Sequence, residues 1–103
     1  MSIFAKRKDS NTDDIMIAIL EAGWMYLDTH DYGYGFPDCI AYKFFGNLPV
    51  SVLIEIKTKT GKLTKSEEQF HTRYNELVYI CRDAESVASI LSEYDKKFNG
   101  RYK

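Results

Sequence analysis

The sequence predicts an α/β domain, a central mixed sheet flanked by helices, and three observations predict it. Apolar residues recur at helical spacing ahead of Gly23 and again around Val87. Between these stretches lie short runs rich in Val, Ile and aromatic residues. The first runs are joined by hairpin-like turns and the last by a helical crossover, giving the order helix, three strands, helix, strand, helix. The 103 residues form one small domain, 1–103, and 45% hydrophobic with 15% aromatic residues excludes a disordered or fibrous class.

Met1 to Asn11 is charged and aperiodic and reads as a mobile leader with the basic cluster Lys6-Arg7-Lys8. Ser10, Asn11 and Thr12 all suit an N-cap, and Asp13 and Asp14 match the positive end of the helix that follows. Ile15, Met16, Ile19 and Leu20 form its buried face, and Gly23 stops it. Trp24 to Thr29 is the first strand, and His30 to Pro37, with its glycines and tyrosines, is a loop. Pro37 to Lys43 is the second strand, Phe44 to Pro49 a turn around Gly46-Asn47, and Val50 to Lys57 the third strand. Thr58 to Leu63 is a polar, lysine-bearing loop. Thr64 caps the next helix, which extends toward Glu76, and Glu67 stands at the capping-box spacing from it. Leu77 to Cys81 is the fourth strand. Asp83 caps a last helix with the stripe Val87, Ile90 and Leu91, and Lys96 to Lys103 is a basic, frayed tail, 96–103.

The formal net charge is −1, from 14 basic and 15 acidic residues, so nothing global draws the chain to nucleic acid and any such binding rests on local patches. Cys39 and Cys81 are too far apart for a metal motif or a disulfide framework and read as buried thiols in a reducing setting. The N-terminus has no apolar signal-peptide core, and no run approaches the ~20 apolar residues of a membrane span. These features predict no membrane partner and a cytoplasmic location, the host cytoplasm if the chain is phage-encoded.

The chemistry-bearing residues lie on the second and third strands. Side chains alternate along a strand, so Glu55 and Lys57 share one face while Ile54 and Ile56 share the other with Val52. A carboxylate and an ammonium then project together from the end of an otherwise buried strand. If strands two and three are antiparallel neighbours, Asp38 meets Glu55 and Lys57 at that same end. Two carboxylates can hold a hard cation such as Mg²⁺, which polarises a phosphoryl oxygen and acidifies a bound water. A lysine beside them can orient that water and offset charge on the phosphorane. Taken alone, Glu-x-Lys is also what an exposed pair on an edge strand looks like. The ordered set is more specific: Gly35-Phe36-Pro37-Asp38, then Ile54-Glu55-Ile56-Lys57, then Gly61-Lys62-Leu63-Thr64 opening a helix.

Over roughly Asp13 to Leu91 these motifs make the chain resemble the PD-(D/E)XK nuclease superfamily. Within it, the chain looks like the short, stand-alone VRR-NUC domains common in phages and bacteria. The resemblance implies a restriction-endonuclease-like core, αβββαβα, with Asp38 and Glu55 as ligands of Mg²⁺ (or Mn²⁺) and Lys57 as the catalytic lysine. It further implies a contribution from the backbone carbonyl of Ile56. The implied activity is that of an endodeoxyribonuclease on branched DNA, a junction or flap, working as a homodimer like the Holliday junction resolvases, without an organic cofactor. Two positions depart from the family. Relatives carry a glutamate in helix one that completes the metal site, where Asp13 is the nearest candidate here and a helix-dipole acid the competing role. Relatives carry a glutamine three residues into helix two, where this chain has Glu67. Gln69 lies about 200° around the helix from it, so Glu67 is the better accessory candidate.

Lys59, Lys62 and Lys65 stand without an intervening acid and suit a nucleic-acid backbone, although a solvated loop has the same composition. Tyr34, with Tyr32, could stack on an unpaired base or be an ordinary surface aromatic of a turn. His30 and His71 have no metal-ligand spacing. Two other classes of function stay open on the sequence: a catalytically inactive nucleic-acid-binding module on the same fold, and a plain phage interaction protein.

Overall fold

The computed structural model describes residues 11–74 and 77–99. In chain order the elements are α1 (Thr12–Glu21), β1 (Met25–Asp28), β2 (Cys39–Phe45), β3 (Leu48–Ile56), α2 (Lys65–Tyr74), β4 (Val78–Cys81) and α3 (Ala84–Asn99). The predicted element order is therefore observed. The strands form one four-stranded sheet in the order β1-β2-β3-β4, antiparallel across the first two junctions and parallel between β3 and β4. The parallel junction follows from the α2 crossover, which returns the chain in the same direction.

The register decides which residues share a face. Cys39 pairs with Ile54 and Ala41 with Val52, so these side chains project together with Ile56 and Cys81. They meet Ile15 and Ile19 of α1 and Val87 and Leu91 of α3, all fully buried, in one cluster closed by Trp24 and Phe45. Burial of each such aliphatic side chain contributes on the order of 2 kcal/mol. Both thiols lie in this core; burial pushes Cys81 up to about 11 and Cys39 higher still, so they behave as small hydrophobes. Among the described residues no helix is long and apolar enough to cross a membrane.

Several boundaries differ from the sequence expectation. The hairpin turn contracts to Gly46-Asn47, with Phe44, Phe45, Leu48 and Pro49 in the ladder. Gly46, at φ +62, supplies the left-handed position that a two-residue hairpin needs. The second strand starts at Cys39 rather than Pro37, since proline has no N–H for the ladder. On α1 the buried positions are Thr12, Ile15 and Ile19, whereas Leu20 is 49% exposed, because α3 covers a narrower stripe than the apolar pattern suggests. Asn11 belongs to the fold and not to a leader: it precedes α1, and its side chain is used at long range, as described below. Ser10 and the Lys6-Arg7-Lys8 cluster lie outside the described residues. At the other end, α3 continues to Asn99, because Phe98 packs on Phe45 at 5.4 Å and holds the last turn that read as a frayed tail. Residues 100–103 lie outside the described residues. Asp83 does cap α3, its Oδ1 accepting from the N–H of Ser86 at 2.8 Å.

Candidate active site

The antiparallel register that pairs Cys39 with Ile54 sets Asp38 opposite Glu55, one step past the last ladder pair, on the sheet face away from α1 and α3. Pro37 cannot donate to the ladder there. Its carbonyl accepts from Thr29 Oγ1 at 2.7 Å, and the N–H of Ile56 donates to Asp38 Oδ2 at 2.8 Å. The two acids and Lys57 thus converge at one end of the sheet, as the alternation of strand side chains requires.

Glu55 is 1% exposed, and neither of its carboxylate oxygens has a hydrogen-bond partner. A buried carboxylate so placed is costly unless it is protonated or charge-compensated. Burial first, and then the Asp38 and Glu67 carboxylates, push its acid up to about 10. The nearest cation is Lys57, whose Nζ lies 3.6 Å from Glu55 Oε2. That Nζ is closer to Glu67 Oε1, at 2.7 Å.

Glu67 does two things at once. Its Oε1 accepts from the N–H of Thr64 at 2.8 Å, and Thr64 Oγ1 accepts from the N–H of Glu67 at 3.2 Å. This is the reciprocal capping box read from the sequence. The same oxygen faces Lys57. Burial alone would raise Glu67, but the Lys57 ammonium and the Thr64 N–H outweigh it and hold the acid at about 2. His71, one turn on, presents a buried Nε2 without a hydrogen bond. Burial lowers its basicity and Lys57 adds to that, against the opposing pull of Glu67. Gln69 does not join this group; it lines the outer surface of α2.

Asn11, read from the sequence only as a helix cap, which its side chain does not form, and Arg82, absent from that reading, hold the chain after Lys57. Asn11 Nδ2 donates to the carbonyls of Lys57 (3.0 Å) and Arg82 (2.8 Å). Arg82 Nη1 donates to the carbonyls of Thr58 (2.7 Å) and Gly61 (2.8 Å). Their partners lie 46 and 71 residues away for Asn11 and 24 and 21 for Arg82, so no local pattern could have marked them. On the loop so pinned and at the start of α2, Lys59, Lys62 and Lys65 are exposed. Asp13 is exposed on the first turn of α1 and does not join Asp38 and Glu55 in a common cluster. His30 bridges Asp28 (2.7 Å) and Asp31 (3.1 Å) at the far side of the loop.

Among the described residues no group of three or more His, Cys, Asp or Glu side chains is arranged to hold a metal ion by itself. A cation here would therefore depend on two carboxylates, backbone oxygen and water, which is how Mg²⁺ is commonly held. The unpartnered, buried oxygens of Glu55 beside Asp38 fit that donor set.

The chain matches no protein-family model, no curated protein and no solved structure.

Proposed function

We propose that this protein is a divalent-metal-dependent phosphodiesterase of the PD-(D/E)XK, VRR-NUC type, an endodeoxyribonuclease acting on branched DNA. The observation that carries the reading is the fully buried Glu55 carboxyl, crowded by the Asp38 and Glu67 carboxylates one step past the last ladder pair and 3.6 Å from Lys57. A structural ion pair needs one acid per ammonium, whereas here three carboxyl groups crowd around Lys57. Mg²⁺ or Mn²⁺ would be held by Asp38, Glu55 and the backbone carbonyl of Ile56. The chemistry such an ion supplies when bound is a polarised phosphoryl oxygen and a more acidic water.

The chain's own residues perform the rest. Asp38 ties its carboxylate to the end of β3 through Ile56 and so fixes the spacing of the two acids. Lys57 keeps a positive charge next to Glu55, where it can orient a water and offset charge developing on the phosphorane. Glu67 anchors that ammonium from α2. Lys59, Lys62 and Lys65 offer exposed cations for the strand backbone.

The homodimer expected for such an enzyme has support from the rest of this sheet face. Met25, Leu27, Phe44 and Ile80 are 53, 50, 64 and 39% exposed, around Ile40 and Tyr42. Beyond the acid cluster the strand residues of this face carry no charge. Exposed apolar side chains on three strands of one face are the kind of patch a partner covers. A second copy of the same uncharged face is the partner we assign to it.

The test is incubation with Mg²⁺ or Mn²⁺ and branched, flap or linear DNA. Wild type should cut, and Lys57→Ala should lose at least ~100-fold in rate. No cleavage by wild type, or equal cleavage by Lys57→Ala, ends this reading. A second reading, an inactive nucleic-acid-binding module, is favoured by one observation: Lys57 is closer to Glu67 than to Glu55. Calorimetry separates the two, since an inactive module should show no Mn²⁺ binding that depends on Asp38 and Glu55.

A further inference from the structure

We propose that the groove between Tyr34 and α2 seats an unpaired nucleobase, with the Tyr34 ring as its stacking platform. The inference rests on the nuclease reading and names the substrate class within it: single-stranded or extrahelical nucleotides next to the scissile phosphate.

The first observation is the conformation of Tyr34. Its φ is +58, between Gly33 at +85 and Gly35 at +76. A left-handed tyrosine is disfavoured, and Gly or Asn would fit the turn better. The ring gains nothing within the chain that would offset this. It is 93% exposed, and among the described residues it stacks on no other ring. A costly conformation that holds an aromatic face out in water is explained by a partner outside the chain.

The second observation is the groove beside it. It has a volume of about 480 Å³, in the range of small-ligand clefts, and is lined by Tyr34, Ser66, Gln69, Phe70, Arg73 and Tyr74. The lining combines aromatic faces, an amide and a guanidinium, with no carboxylate. Arg73 makes no ion pair among the described residues, and its fork suits a phosphate. The Gln69 amide can both donate to and accept from a base edge. A negatively charged ligand with a flat ring matches this set.

The third observation is rigidity. A Cβ on Gly35 would overlap the Ser66 carbonyl, so the loop lies flat against the start of α2. Phe36 packs edge-on against Tyr32 (4.9 Å) and Phe70 (5.4 Å), and Phe70 contacts Tyr74 (4.8 Å). The loop backbone that carries Tyr34 is thus held against α2 before any ligand arrives, which limits the backbone entropy lost on binding.

Position links groove to chemistry. Ser66 precedes Glu67, the anchor of Lys57, and Gly35 is separated from Asp38 by at most ~11 Å of extended chain. A base in the groove therefore belongs to a nucleotide flanking the phosphate at the acid cluster. A base stacked inside a duplex cannot offer its face to Tyr34, so selection favours unpaired nucleotides.

The experiment is fluorescence anisotropy of a labelled single-stranded oligonucleotide and of the matching duplex, without metal. Wild type, Tyr34→Asn and Tyr34→Phe are compared, and metal-dependent cleavage is read separately with Lys57→Ala. Asparagine tolerates the left-handed turn, so Tyr34→Asn should melt no lower than wild type. Wild type should bind the single strand more tightly than the duplex. Tyr34→Asn should weaken single-strand binding by ~10-fold or more and leave duplex binding unchanged. Tyr34→Phe, which keeps the ring, should bind the single strand as wild type does. Unchanged single-strand binding by Tyr34→Asn, an equal loss on both DNAs, or no preference in wild type overturns the proposal. If any of these accompanies metal-dependent cleavage that Lys57→Ala abolishes, the groove assignment fails and the nuclease stands. If Tyr34-dependent binding appears without cleavage, the nuclease reading fails and the groove stands.

Discussion

Lys57 Nζ lies 2.7 Å from Glu67 Oε1, so the lysine of β3 is held from α2 by the residue that also closes that helix's capping box. Moving Glu67 should therefore move Lys57. Glu67→Ala should lower kcat by ~100-fold with KM little changed, the effect of a misplaced group and not of lost binding. Glu67→Gln should retain more activity, because an amide oxygen can still accept from Thr64 and from Lys57. Equal loss in both variants would show that the charge matters and the placement does not.

The pH dependence of stability should have two limbs of opposite sign. The folded chain holds the Glu55 proton up to about 10, against 4.5 for a free glutamate. A raised acid favours the folded state below the unfolded value and loses that contribution as pH climbs. Glu55 should therefore make the metal-free protein progressively less stable from about 4.5 toward about 10. Glu67, held at about 2, contributes stability that is complete above 4.5 and is lost as pH falls toward about 2. Thermal melting across pH should show Glu55→Gln flattening the upper limb and Glu67→Gln the lower. Added Mn²⁺ should raise Tm more in mildly alkaline than in mildly acidic buffer, since the ion replaces the Glu55 proton. A Glu55→Gln profile parallel to wild type would contradict the buried acid's role.

Arg82 bridges the carbonyls of Thr58 and Gly61, with Lys59 at a longer 3.5 Å. Arg82→Ala should cost about 1–2 kcal/mol of stability, and the amides of residues 58–61 should exchange faster with solvent. Arg82→Lys should not restore either, because an ammonium cannot span these carbonyls as a guanidinium does. Hydrogen exchange read by mass spectrometry checks this, and protection equal to wild type in Arg82→Ala would refute it.

Leu27, half exposed on the edge strand β1 of the uncharged face, is the position at which to test association. Leu27→Glu should convert a dimer to a monomer in sedimentation equilibrium, and its Tm should no longer rise with protein concentration. A wild type that sediments as a monomer at every concentration would remove the homodimer from the proposed function.

By itself, the sequence determined the element order, the strand alternation and the caps of α2 and α3, because each depends on residues within a few positions of one another, whereas Asn11 forms no side-chain cap on α1. Glu55 and Lys57 share a face by alternation alone, and Thr64 and Glu67 form a capping box by spacing alone. Even the choice of Glu67 over Gln69 follows from helical angle. Tertiary structure decided what spacing cannot encode. The antiparallel register set Asp38 against Glu55, and burial beside the Asp38 and Glu67 carboxylates raised the Glu55 acid. Asn11 and Arg82 reached carbonyls far along the chain, and α3 left Leu20 outside the core it pattern-matched. The physical reason is the same in each case: local geometry is set by backbone dihedrals and short-range hydrogen bonds. Charge state and exposure, in contrast, depend on which distant surfaces happen to exclude water.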